Sequence, residues 1–231
     1  MSGNAPEHAN ATTCSDQGQS WNDLVEAAAI FKGKILEVIG GADSVNKRGN
    51  IIHQNYSQGI LLEEGCAAVI VGNHLTKNIK ANIALGGLDS ENTKIKFNRI
   101  ERSKQEGIFV VEGGEGLEID SNMIINNKDG IVLLHSLGSI ANNRIEDNDR
   151  CGMTLLSETQ ATIETNKIEN NNYGIDIKDP SEPALRKNTV RGNVYQVSLE
   201  KNGKKKWDAY RTQNDIVGPS DFPQGLGCNI F

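Results

Sequence analysis

Asparagines recur at Asn50, Asn73, Asn98, Asn122, Asn143, Asn166 and Asn188, separated by 23, 25, 24, 21, 23 and 22 residues. Other columns keep step with them. An aliphatic stands three residues before six of the seven: Ile70, Ile95, Ile119, Ile140, Ile163 and Leu185. Another stands two residues after each: Ile52, Leu75, Ile100, Ile124, Ile145, Ile168 and Val190. Five residues after each comes a small polar group: Asn55, Asn78, Ser103, Asn127, Asn148, Asn171 and Asn193. A period this short, with Gly and Asn punctuation, fits a solenoid whose coils share one core.

The composition agrees. Aromatic residues make up only 5% of the 231, while Gly numbers 24. Thin coils filled by Ile, Leu and Val suit that better than a globular core built on large rings. The net charge of −6 leaves no basic stripe for nucleic acid. Cys14, Cys66, Cys151 and Cys228 lie far apart without CxxC spacing, so they read as separate thiols in a reducing compartment. The first nineteen residues lack an apolar core segment and the arginines of a presequence, and no run is long enough to span a membrane. The expectation is an intracellular, cytoplasmic protein without membrane insertion.

One coil shows how the period is built: Ile119-Asp120-Ser121-Asn122-Met123-Ile124-Ile125-Asn126-Asn127-Lys128-Asp129-Gly130-Ile131-Val132-Leu133. Apolar residues two apart mark short strands. The intervening Asn and Gly are expected to take left-handed conformations at the corners. A Gly precedes the next strand at Gly59, Gly107, Gly130, Gly152 and Gly174. The inward pairs are then Ile60/Leu62, Ile83/Leu85, Ile108/Val110, Ile131/Leu133, Met153/Leu155, Ile175/Ile177 and Val197/Leu199. Stacked asparagines at an inward corner hydrogen-bond along the rod and to backbone, so the ladder closes turns and binds no ligand.

The open ends of such a rod need covers. Residues 1–19 read as a disordered tail. Residues 20–48 read as a capping helix and a first strand. Ser20 caps the helix; Trp21, Leu24, Val25, Ala28 and Phe31 follow helical spacing; Gly33 ends it; the strand covers Ile35 to Ile39. The repeats occupy 49–201, and the ladder stops after Leu199. Residues 202–231, with Lys204 to Lys206, Trp207 and Tyr210, read as a second cap.

Segments such as NRIEDNDRCGMTLL, NKIENNNYGIDI and NMIINNKDGIVLL resemble right-handed parallel β-helix repeats of the CASH/NosD-like class. That class includes the β-helix domain of F-box substrate adaptors, periplasmic accessory proteins and carbohydrate-active enzymes. The resemblance covers about Gly49 to Lys201. It implies an all-β, single-stranded right-handed parallel β-helix of about seven coils, here with the N-terminal capping helix. It implies no single activity, because unrelated functions share the scaffold.

Function must come from outward side chains. Between the inward pairs lie Leu61, Ala84, Phe109, Val132, Thr154, Asp176 and Ser198; just after them come Glu63, Gly86, Val111, Leu134, Leu156, Lys178 and Glu200. The middle of this face is apolar, with Phe109, Val111, Val132, Leu134 and Leu156, where a sugar-cleaving groove needs carboxylates. An apolar stripe outside a closed core calls for a cover. The preferred reading is therefore a non-catalytic scaffold or structural subunit that binds other protein subunits through those five residues. The alternative is a carbohydrate-active β-helix that binds or cleaves a polysaccharide, with Asp176, Lys178 and Asp179 as its polar site. No cofactor or metal is expected: His53 and His74 do not align, and the glycines of VEGGEG precede no helix N-terminus.

Overall fold

The computed structural model describes residues 30–32, 36–39, 50–63, 67–86, 92–200 and 204–221. Along them the chain winds through three parallel sheets of eight, seven and eight strands. Every strand pairs with its counterpart one coil later. In the first sheet Glu106–Val111 pairs with Asp129–Leu134; in the second Glu118–Asp120 pairs with Ser139–Ala141; in the third Met123–Ile125 pairs with Arg144–Glu146. The first is the long sheet, since its strands reach six residues. The product is an all-β parallel solenoid of about seven coils.

All fourteen expected inward residues of the long sheet are buried, from Ile60 and Leu62 to Val197 and Leu199. Period-two alternation alone puts them inside, and burying each contributes roughly 1.5–3 kcal/mol before chain entropy is subtracted. The ladder asparagines turn inward as well. Asn98, Asn122, Asn143, Asn166 and Asn188 are at most 2% exposed. Each carboxamide oxygen accepts from the backbone N–H and the side-chain amide of the asparagine one coil earlier. Asn122 Oδ1, for example, lies 3.0 Å from both Asn98 N and Asn98 Nδ2.

The left-handed residue at each corner is the one before the ladder residue; it is an Asn or Gly, as expected, at Gly72, Asn126, Asn142, Asn170 and Gly192, and another residue type at the other corners. Phe97, Ser121, Asn142, Thr165 and Lys187 hold positive φ before the first ladder; Gln54, Lys77, Arg102, Asn126, Asp147 and Asn170 hold it before the second. The ladder residue must send its amide into the core, so the tight bend falls on its outward neighbour. The glycines before the long strands serve close approach instead. A Cβ on Gly130 would stand 2.3 Å from the Gly152 carbonyl oxygen and 3.1 Å from Asn148 Nδ2.

That second contact exposes another ladder. Asn127, Asn148, Asn171 and Asn193 repeat the same hydrogen-bond pattern at the other sharp corner. Ser103 interrupts this ladder, and Asn82, standing in the glycine column, fills the gap. Its carboxamide accepts from Asn78 Nδ2 at 2.7 Å and donates to Asn127 Oδ1 at 3.2 Å. Gln196, also in the glycine column, ends the ladder by accepting from Asn193 Nδ2 at 2.9 Å.

The ends differ from expectation. Ile30–Lys32 is a strand paired with Leu61 to Glu63, so the expected helix does not include Phe31, and Ser20 and Gly33 lie outside the described residues. Trp21, Leu24, Val25 and Ala28 lie outside the described residues. The strand expected near Ile35 is Leu36–Ile39, paired with Ala68–Val71. At the other end a helix, α1 (Lys204–Gln213), stands where the last coil would place a strand of the second sheet, over Ala184–Arg186. It buries Trp207 and Tyr210 in the core, and Tyr210 donates a hydrogen bond to the Pro183 carbonyl at 3.2 Å. Burial pushes the Tyr210 phenol up to about 12. The ladder does not stop at Leu199: Asn214 Oδ1 accepts from Asn188 Nδ2 at 2.8 Å. Asp215–Val217 then adds the last strand of the third sheet.

Outside the third sheet, buried carboxylates sit within a basic row. Glu101 and Glu146 are each 4% exposed. Arg99 lies 2.6 Å from Glu101, and Arg144 lies 2.6 Å from Glu146. Burial pushes both carboxyls up, but Arg99 and His74 outweigh it for Glu101, as Arg144 and Lys167 do for Glu146. Both are held below their ordinary value of 4.5. A depressed folded-state pKa contributes stability that is complete above the unfolded value and is lost as pH falls through the folded one. The melting temperature is therefore expected to stay level down to about pH 5 and drop below about 4.5, less steeply in Glu146→Gln. A melting temperature that climbs between pH 5 and 4 contradicts this pairing.

Candidate functional site

The outer face of the long sheet changes character along the rod. Its central row runs in register through Leu61, Ala84, Phe109, Val132, Thr154, Asp176 and Ser198. The strands also begin earlier than their glycines, which adds a third outward row. In it Glu106 pairs with Asp129, and Cys151, Tyr173 and Tyr195 stand side by side. The early coils present apolar groups on this face, and from Thr154 onward it is polar.

Over the polar half lies a cleft of about 460 Å³ lined by Arg150, Cys151, Thr154, Leu156, Tyr173, Asp176, Lys178, Ser198 and Asp221. Asp221 reaches it because the chain after the last strand returns beside Ser198 as a parallel bridge. Arg150 is gripped by buried Asp129 through two hydrogen bonds, at 2.8 and 2.7 Å, which fixes the guanidinium plane. That grip raises the Arg150 pKa against the effect of its own burial. Lys178 Nζ lies 3.1 Å from Asp176 Oδ1 and 3.6 Å from Glu200 Oε1. Desolvation works to lower its pKa, but Asp176 and Glu200 together raise it. Tyr173 and Tyr195 stack with ring centroids 5.2 Å apart and planes 22° apart. Burial and the charge of Asp221 push the Tyr173 phenol upward. Burial lifts the free Cys151 thiol to about 11, so it is not a ready nucleophile.

Thr154 and Asp176 form the buried floor of this cleft, at 6% and 9% exposure. Thr154 has the Cys151 thiol beside it, and Asp176 Oδ1 has Lys178 Nζ at 3.1 Å.

The structure brings Asp176 and Lys178 together on one face. Asp179 lies beyond the strand end, where its N–H donates to Glu200 and its side chain borders a separate hollow with Pro180, Glu182 and Lys206. The five stripe residues do share the outer face: Phe109 is in register with Val132, Val111 with Leu134, and Leu134 with Leu156. None of them is exposed. Val132 is 5% exposed and the other four are half-buried, whereas among the described residues the exposed large apolar side chains are Ile51, Tyr56, Phe97, Val194 and Val217. Leu156 belongs to the cleft.

Asp129, Arg150, Tyr173, Tyr195 and Asp221 were missed. The first four lie three or four residues before the central row, so two-residue strand alternation gives no signal for them. Asp221 has none either, because only the fold returns it there. His74 is 3.0 Å from Glu101 and His135 is 3.8 Å from Glu158, each an ion-pair contact and not a metal site. Among the described residues no group of three or more His, Cys, Asp or Glu stands together to hold a metal ion. No helix among them is long and apolar enough to cross a membrane.

The sequence matches the family described as the right handed beta helix region over residues 32–138 and again over 88–216. No curated protein matches it. The fold is similar to crystal structures of the periplasmic alginate epimerase AlgG. For a single mutant the TM-score is 0.57 at 19% identity, over 84% of this chain and 54% of that one; for a double mutant it is 0.59 at 19%, over 86% and 59%. This chain thus spans less than two thirds of those proteins. Identity at that level speaks for the scaffold alone.

Proposed function

The chain belongs to the right-handed β-helix family, and from that premise we propose that it is a carbohydrate-binding β-helix whose ligand lies in the cleft at Thr154, Tyr173 and Asp176. The observation that carries the reading is the stacked Tyr173–Tyr195 pair beside a floor of mixed donors and acceptors. A sugar ring has apolar C–H faces and an equator of hydroxyls. The first suits a tyrosine face, and the second needs groups that both donate and accept. Arg150 and Lys178 donate, Asp176 and Asp221 accept, and Thr154 and Ser198 do both. The cleft size falls in the range of small-ligand sites. The similar fold of an alginate epimerase is compatible with such a ligand but adds only the scaffold.

A scaffold that binds protein subunits through the apolar stripe has less support than the cleft, since Val132 is buried and the other four stripe residues are only half-exposed. The chain's likeness to a periplasmic protein likewise lends a cytoplasmic location no support. The test is affinity electrophoresis of the whole chain through gels that contain individual polysaccharides. Retardation by at least one is expected, with the affinity cut about tenfold or more in Tyr173→Ala and unchanged in Phe97→Ser on the opposite corner. Equal retardation of both variants sinks the assignment to this cleft.

A further inference from the structure

Resting on that reading, we infer that the glycan is uncharged: the cleft selects a neutral, hydroxyl-rich polysaccharide and rejects uronate polymers. The charges around the cleft decide this. Arg150 is committed to Asp129 by two hydrogen bonds, and Lys178 is committed to Asp176 and Glu200. Asp221, on the same rim, has no cation partner among the described residues. Four carboxylates (Asp129, Asp176, Glu200 and Asp221) against two cations leave a net charge of −2 around the cleft. A uronate unit entering there meets like charge at short range in a partly desolvated site, where repulsion is felt strongly.

Thr154 and Asp176 line the floor, and a sugar hydroxyl donates to the Asp176 carboxylate whereas an ionised carboxylate does not. Tyr173 beside them offers the ring face that an uncharged pyranose packs on. Selection against anions thus comes from a surplus of carboxylates over cations, and not from an absence of basic residues.

The experiment is calorimetric titration of the full chain with hexamers of glucose, mannose and galactose, and with hexamers of mannuronate and galacturonate, at low and at high salt. Binding of a neutral hexamer with a salt-independent Kd is expected, with every uronate at least about tenfold weaker at low salt. Glu200→Gln, which removes a carboxylate that lies outside the cleft lining and contacts Lys178, should close part of that gap while leaving the neutral ligand bound. A uronate that binds tighter than every neutral hexamer, and weakens in Tyr173→Ala, overturns the charge selection while leaving the carbohydrate reading in place. Failure of all five hexamers to bind overturns both.

Discussion

Replacing Asn122 with leucine is expected to lower the unfolding free energy by about 4 kcal/mol. The side chains match in size, so the loss is chemical. Four hydrogen bonds vanish: those from Asn98 N and Asn98 Nδ2 to Asn122 Oδ1, and those from Asn122 Nδ2 to the Ile95 carbonyl and Asn143 Oδ1. With Asn98 and Asn122 both 2% exposed, water does not replace them, and the Asn98 N–H stays buried and unpaired. For a chain of this length the melting temperature should fall by about 10 °C. A cost of a few tenths of a kcal/mol would mean that the ladder is ornamental. The change should leave glycan affinity intact, since Asn122 lies at the corner between the second and third sheets and not on the long sheet.

The second large effect is a compensation. Asn82→Gly and Ser103→Asn are each expected to cost about 2 kcal/mol, while the double variant stays within about 1 kcal/mol of the parent. Asn82 stands in the glycine column, and its amide occupies the slot that an asparagine at position 103 would fill. Removing it leaves Asn78 Nδ2 without its partner at 2.7 Å. Adding an asparagine at 103 puts two carboxamides into one space, since residues in the glycine column lie within about 3 Å of the ladder amide one coil on, as Gly107 does to Asn127 Nδ2. Making both changes restores the regular Gly and Asn columns. Equilibrium denaturation of the three variants measures the coupling, and simple additivity contradicts the bridged ladder.

The fold was legible because two periodicities, two residues within a strand and 21 to 25 between coils, are written in the same apolar residues. The second amide ladder was less so. Ser103 breaks its column, and the replacement comes from Asn82, twenty-one positions earlier. Asn214 was hidden because α1 stretches the last interval to 26 residues. At the site, Asp176 and Lys178 followed from strand alternation, whereas Arg150 and Tyr173 needed the strands to start before their glycines. Asp221 depends on where the chain goes after Leu199, which no local pattern carries. The apolar stripe was legible as an outward row but its partial burial was not: neighbouring rows in successive coils stand one strand apart and shield one another, so an outward apolar residue on a parallel β-solenoid need not be fully exposed.

The central claim is that the cleft on the C-terminal half of the long sheet holds a glycan. The most direct check is to titrate isotope-labelled protein with whichever neutral oligosaccharide it retains and to map the backbone amide shifts by NMR. The account predicts that the largest shifts cluster at Arg150, Thr154, Tyr173, Asp176, Lys178 and Ser198, with the third sheet silent. Shifts centred instead on Phe109 and Leu134, or on the Arg99–Glu146 face, would contradict it.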